Sequence, residues 1–297
     1  MPPSILVTGA SGVVGSAVLR HLLPLQAVGG ARLVASARNE KQRSHFQSLG
    51  VVTVHLDFDD AASVAAAMTG IDRLFLATGY SVHMLVQSKT VLDAAKRAGV
   101  AHVVHLGALA EPGTRLAHYV WHAYVESYIE WLGLGFTHLQ PNAFMQNILI
   151  GLRPEKRVLR HHYGSAPIGW IDVEDIARVA ALALGNPQRH AGKAYRLSEE
   201  VLTMAQVAAT ISRVTGTNYG VDARPCEEFL PAILRGGMES TYATALAESV
   251  VQLQVGGSFR ADHAYDTVRE VTGAPGTRWE AFVERHLAAF IAPPGTG

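Results

Sequence analysis

The residues best suited to chemistry come at the start of the chain. Ile5 to Gly15 reads ILVTGASGVVG, a short apolar run followed by Gly9, Gly12 and Gly15, and an apolar-periodic stretch continues from Val13 to Leu23. That pattern is strand, tight turn, helix. Gly9 allows the sharp turn, Gly12 lets backbone approach a phosphate, and Gly15 lets helix and strand pack closely. The first-turn amides around Val13 and Val14 lack intrahelical partners and carry partial positive charge, so they suit a pyrophosphate. Ser11 can add a hydroxyl. The expectation is a dinucleotide site.

The end of the second strand selects the dinucleotide. An acid there, about twenty residues past the glycines, would hydrogen-bond the ribose 2′-hydroxyl of NAD. The chain instead has Ser36-Ala37-Arg38-Asn39-Glu40-Lys41. The planar fork of Arg38 matches a 2′-phosphate, and Lys41 adds charge one turn on. NADP(H) is therefore expected over NAD(H). Other strand ends supply the rest, because ligands of open α/β sheets bind outside the strands' carboxyl ends. Asp57 and Phe58 are expected at the adenine. Ala77-Thr78-Gly79, and Gly107 after the fifth strand, would let backbone run beside the cofactor.

These groups need a scaffold, and the alternation of apolar runs provides one. After the first helix come strand Arg32–Ala37, helix Glu40–Leu49, strand Val51–Leu56, a helix ending at Met68, and strand Arg73–Ala77. Helix Val82–Ala98, strand His102–Leu106, helix Leu116–Leu132 and strand Phe136–Gln140 follow. Strands alternating with helices imply crossover connections and a parallel sheet covered on both faces, an α/β Rossmann fold. Past Pro141 the rhythm loosens. Arg153 to Gly164 reads as a basic, histidine-rich loop. Helices are expected over Asp172–Leu184, Thr203–Val214, Glu227–Leu234, Thr241–Leu253 and Trp279–Ile291, with a strand at Ala194–Leu197 and a loose tail around Pro293 to Gly295. The reading divides the chain into a cofactor-binding domain over 1–150 and a smaller, mostly helical lobe over 151–297. That lobe would pack on the sheet's carboxyl edge, with a few segments returning to the sheet.

Composition narrows the class. Net charge is zero, with 25 basic and 25 acidic residues, so nucleic acid and anionic membrane surfaces are not expected partners. No uncharged apolar stretch is long enough to span a bilayer. A lone cysteine, Cys226, excludes an internal disulfide framework and fits a reducing compartment. A cytoplasmic protein is expected, with a homo-oligomer left open.

Taken together, Thr8 to Gly15, Ser36 to Asn39, His122-Ala-Tyr-Val-Glu126, Pro141 to Asn147 and Trp170 to Ala177 resemble the short-chain dehydrogenase/reductase superfamily, specifically its atypical NmrA-like branch. The superfamily's usual enzymes use a Tyr-x-x-x-Lys pair to protonate a carbonyl. Here the lysines are Lys41, Lys89, Lys96, Lys156 and Lys193, and none has a tyrosine four residues before it. The resemblance implies that His122 stands where that helix presents its first catalytic side chain. Glu126, one turn on, shares its face. His122 reads as a proton donor to the reducible group or as a structural ring. His118, His122 and Glu126 also form a ladder, but two helical turns span about 12 Å, too far for one ion, and no metal is expected.

The branch further implies Asn142 and Phe144 beside the nicotinamide. A substrate pocket is expected from Tyr80, Met145, Gln146, Trp170 and Phe229, an apolar surround for a flat aromatic or conjugated small molecule. Without the relay, suitable acceptors are those that delocalise the incoming charge: quinones, azo or triphenylmethane dyes, iminium systems. The leading expectation is an NADPH-dependent reductase of such electrophiles. A non-catalytic NADP-binding redox sensor and a tailoring isomerase or cyclase stay open beside it.

Overall fold

The computed structural model describes residues 1–109, 111–254 and 261–291, so the expected tail at Pro293 to Gly295 lies outside the described residues. The first half alternates strand and helix: β1 Ser4–Val7, α1 Val13–Ala27, β2 Arg32–Ala37, α2 Glu40–Ser48, β3 Val52–His55, α3 Ala61–Met68, β4 Arg73–Leu76, α4 Met84–Ala98, β5 His102–Leu106, α5 Ala117–Trp131 and β6 Gly135–Pro141. Then come β7 Ala143–Phe144, α6 Asn147–Gly151, β8 Leu152–Arg153, β9 Val158–His161, β10 Ile168–Ile171, α7 Val173–Gly185, α8 Pro187–His190 and β11 Lys193–Leu197. The remainder holds β12 Glu200–Leu202, α9 Met204–Thr215, β13 Gly220–Ala223, a 3-10 turn Cys226–Glu228, α10 Phe229–Arg235, α11 Ser240–Gln254, α12 Thr267–Thr272, α13 Trp279–Arg285 and α14 Leu287–Ile291.

Seven strands form the central sheet in the order β11-β6-β5-β4-β1-β2-β3. β1 pairs in parallel with β2 and β4, and the β2–β3, β4–β5 and β5–β6 ladders are parallel as well. The strand order reverses direction at β1, where β2 and β4 flank it, and that is where an open sheet of this kind leaves its ligand crevice. The fold is the expected Rossmann architecture.

The chain divides into two compact units that are interleaved in sequence. One comprises Met1–Ala108, Val120–Gln140 and Val173–Tyr195; the other comprises Leu109–Tyr119, Pro141–Asp172 and Arg196–Gly297. The loosening rhythm predicts a boundary near residue 150 with a few segments returning to the sheet, and α7 belongs to the first unit. It packs on α1, and the Arg20 guanidinium and the His21 ring (3.0 Å) both meet Glu174.

In the first unit Ile5, Leu6 and Val7 have no exposed surface, and Val14, Ala17, Val18 and Leu22 of α1 are buried. Burial on both faces accounts for strands that are continuously apolar. The second unit is less helical than expected. It holds two small sheets, β12-β10-β7 and β13-β9-β8. β9 lies inside the stretch read as a loop, paired in parallel with β13, and Arg160 Nε donates to Asp222 Oδ2 (2.9 Å). The expected helix at Trp279–Ile291 is two helices, α13 and α14, broken at His286. Trp170 and Trp279, edge to face at 5.3 Å, anchor this unit's core together with Met145, Ile211 and Phe282.

Candidate functional site

The turn between β1 and α1 is built as its glycines demand. Gly9 has φ +59°, a left-handed conformation that side chains rarely adopt, and the Gly12 amide donates back to its carbonyl (2.8 Å). A Cβ on Gly15 would overlap that same carbonyl. Gly12 is the N-cap of α1, with no side-chain cap and no acid in the first turn. The helix start is therefore free of negative charge, as an anion site requires. Thr8, fully buried, ties the turn to the neighbouring strand: its hydroxyl meets the Phe75 carbonyl (2.9 Å) and accepts from the Ala77 amide (2.9 Å).

Arg38 leaves the end of β2 exposed to solvent, and Lys41 in the first turn of α2 is exposed as well. Among the described residues, neither has a carboxylate partner. Glu40, adjacent to Lys41 in sequence, is held by Arg43 (2.8 Å). Gln42, which no sequence pattern marks, organises this corner. Its Oε1 accepts from the Arg38 amide (2.8 Å), its Nε2 donates to Ser11 Oγ (2.9 Å), and its own amide is capped by Asn39 Oδ1 (3.0 Å). The arginine loop and the glycine turn are thus one hydrogen-bonded assembly.

Asp57 and Phe58 are half-buried after β3, and Asp57 Oδ1 accepts from the Asp59 amide (3.1 Å). Ala77 and Thr78 are half-buried after β4, while Gly79 is exposed with open space where a Cβ would stand. Gly107 is buried, its amide donates to the Leu139 carbonyl (2.9 Å), and a Cβ there would come 2.8 Å from Glu126 Oε1. It makes room for a carboxylate beneath α5.

That carboxylate belongs to a buried polar layer. His105 on β5 and His138 on β6 are register partners. Above them α5 presents His122, Glu126 and Glu130: the His122 ring lies 5.8 Å from His105, and Glu130 Oε1 lies 3.3 Å from His138 Nε2. Gln140 Nε2 donates to Glu126 Oε2 (2.9 Å). Burial pushes the Glu126 carboxyl up to about 7 against that hydrogen bond, and Glu130 pushes the same way. Burial also holds His105 down at about 3, helped by His138, and His138 down at about 4, helped by His102. His122 itself is 8% exposed, on the face of α5 turned to the sheet. The ladder His118–His122–Glu126 does not converge. His118 turns to Tyr242, with ring centroids 5.3 Å apart.

In the second unit, Asn142 Oδ1 accepts from the Ala143 amide (3.0 Å) and its Nδ2 donates to the Ala261 carbonyl (3.0 Å). Phe144, half-buried, pairs with Ile171. Met145 and Trp170 have no exposed surface and belong to the core, where Trp170 Nε1 donates to the Leu202 carbonyl (3.1 Å). Both therefore pack the interior, and neither offers a wall to a substrate. Gln146 Nε2 donates to Asp172 Oδ1 (2.8 Å), and Asp172, fully buried, also pairs with Arg285. Phe229 is half-buried against the His162 ring at 5.3 Å, and Tyr80, in the first unit, is exposed.

The chain's relatives agree with this architecture. Residues 1–272 match the NmrA-like family. The chain is 32% identical over 296 residues to an NAD(P)H azoreductase of Xenophilus azovorans, covering 97% of this chain and 99% of that protein. An NADPH-dependent quinone oxidoreductase of Escherichia coli, solved with NADPH, superposes with TM-score 0.81 at 25% identity over 95% of this chain and 99% of the other. A triphenylmethane reductase of Citrobacter sp., solved with NADP(H), gives TM-score 0.81 at 23% identity over 95% and 99%, a likeness of fold.

Proposed function

The chain belongs to the NmrA-like family, and on that premise we propose that it is a cytoplasmic NADPH-dependent reductase acting on a conjugated small molecule such as a quinone or an azo or triphenylmethane dye. The observation that carries the reading is Arg38, exposed at the end of β2, without a carboxylate partner among the described residues and tied through Gln42 to Ser11 of the glycine turn. A 2′-phosphate beside that guanidinium would gain charge-assisted hydrogen bonds, while Gly9, Gly12 and Gly15 keep side chains away from the pyrophosphate. When bound, the dinucleotide supplies the hydride chemistry, and the protein supplies binding and orientation.

The chain's own residues favour acceptors that need little proton assistance. No Tyr-x-x-x-Lys pair exists in the sequence. His122, the alternative donor, is 8% exposed with its ring near His105. That setting supports a positioning role for the ring in place of proton donation to a substrate. The azoreductase relative, nearly coextensive with this chain, supports the same class of acceptor.

The test is direct. Purified protein is mixed with NADPH and a panel of quinones, azo dyes and triphenylmethane dyes, and loss of reduced-cofactor absorbance is followed. Turnover with at least one acceptor is expected. Tight NADPH binding with no oxidation by any acceptor would replace the reductase reading with a non-catalytic sensor.

A further inference from the structure

The layer between α5 and the sheet contains more polar groups than its hydrogen bonds use. Both ring nitrogens of His105, Nδ1 of His138 and Oε1 of Glu126 are buried, and none has a hydrogen-bond partner among the described residues. His105 and His138 are each 1% exposed. A buried polar atom left unpaired is costly, and one ion that took an atom from each of the three residues would satisfy three of these four. A helix packed on a parallel sheet would ordinarily fill this place with apolar side chains.

We propose that His105, His138 and Glu126 form a binding site for a divalent transition-metal ion, with zinc the best match. One ligand atom from each residue lies within 4.8 Å of the other two. Some point therefore lies within about 2.8 Å of all three atoms, against bond lengths of about 2.0–2.2 Å for imidazole nitrogen and carboxylate oxygen on zinc. Small side-chain rotations close the difference. Two imidazoles and one carboxylate are a common zinc donor set, and they leave one position for water.

Behind His138 and Glu126 the surrounding contacts are those a metal site needs. Glu130 Oε1 sits 3.3 Å from His138 Nε2, so the ring can donate from Nε2 and keep the Nδ1 lone pair facing inward. A carboxylate behind a ligating histidine orients the ring and makes it a stronger ligand. Gln140 holds Glu126 Oε2 and leaves Oε1 for the ion. Gly107 keeps the space clear: a Cβ there would stand 2.8 Å from Glu126 Oε1 and 3.3 Å from His105 Cε1. Half-buried Glu126 and Gln140 mark a route in from solvent. The donors come from β5, β6 and α5, so a bound ion clamps the helix carrying His122 onto the sheet. The site is independent of the cofactor reading and makes no claim on hydride chemistry.

The experiment uses the full chain, stripped with a chelator and dialysed, then titrated with Co²⁺ and Zn²⁺. One Co²⁺ per chain is expected, with a visible d–d spectrum of a four- or five-coordinate ion, displaced by one Zn²⁺. Glu126→Gln keeps the size of the side chain and removes the anionic donor. It should weaken Zn²⁺ affinity at least about a hundredfold, and Glu130→Gln, acting behind His138, by about tenfold. Circular dichroism of each variant reports folding. If Glu126→Gln does not fold, Glu130→Gln decides the matter. A stripped wild type that takes up no Co²⁺ or Zn²⁺, or that binds them as tightly in both variants, overturns the proposal, the second result assigning the ion to other histidines.

Discussion

Arg38 shows how far a single residue's chemistry can be read. Its position at the end of β2, and the missing acid, were legible because glycine spacing and strand length alone place that corner. Its exposure, and its lack of a carboxylate partner among the described residues, are structural facts. Arg38→Ala should weaken NADPH binding by about 10- to 100-fold, the worth of one or two charge-assisted hydrogen bonds, while NADH binding changes by less than about threefold. Fluorescence titration with both cofactors measures this, and equal losses would mean that the 2′-phosphate is read elsewhere. Gln42 was invisible by the same route. A glutamine early in a helix reads as a solvated side chain until its two bonds, to Ser11 and to the Arg38 amide, are seen. Met145 and Trp170 went the other way. An apolar residue after a strand reads equally as pocket wall or core, and only burial separates the two.

At the scale of elements, the sheet and the helices of the first unit followed from periodicity, since each is long enough to declare its period. The β1–α1 turn is the tightest of these junctions. Gly15→Ala should cost about 1–3 kcal/mol, because its methyl overlaps the Gly9 carbonyl and backbone cannot give way as a flexible side chain would. Urea denaturation would reveal it, and an unchanged midpoint would argue against the close approach. The strands β9 and β13 carry little signal because each is four residues long and they pair with each other across some sixty positions, while the local hairpin of β9 with β8 is only two residue pairs deep. Pairing of that kind leaves no local signal. The same limit hid the histidine pair, as the register that sets His105 beside His138 is a property of two strands together.

His102, on the same strand β5, gives a test in pH. It is 2% exposed, and its Nε2 lies 3.0 Å from Thr137 Oγ1. Burial, then the charge of Arg73 and that of His190, lower it from 6.5 to about 4. Between pH 6.5 and 4 the unfolded chain therefore holds a proton here that the folded chain does not, so stability falls as pH falls through that window. The slope is about 1.4 kcal/mol per pH unit for this group. His102→Gln should reduce the proton uptake on unfolding by about one in that window, whatever it does to stability at neutral pH. Denaturation midpoints measured from pH 7 down to 4.5 would expose an unchanged slope.

At the scale of the molecule, the Rossmann architecture was legible and the partition was less so. The strand–helix rhythm loosens past Pro141, but α7 and β11 lie beyond that point and belong to the central sheet and its cover. A fragment of residues 1–150 lacks both. It would leave β6 as a bare edge and uncover the face of α1 that α7 buries. Expressed alone, it should be insoluble or lack a cooperative thermal transition, whereas the full chain should melt cooperatively. A stable, NADPH-binding 1–150 fragment would contradict this.

The interleaving also bears on how the protein is made. A chain emerging from the ribosome presents β1 to β5 in order, and their ladders can zip as they appear. β11 begins at Lys193, about two-thirds of the way along the 297 residues. Until then β6 must wait with an unpaired edge, while segments of the second unit emerge around it. This nascent stage is the one most exposed to mispairing between neighbouring chains on a polysome. A holdase chaperone or slow codons between α7 and β11 would act there.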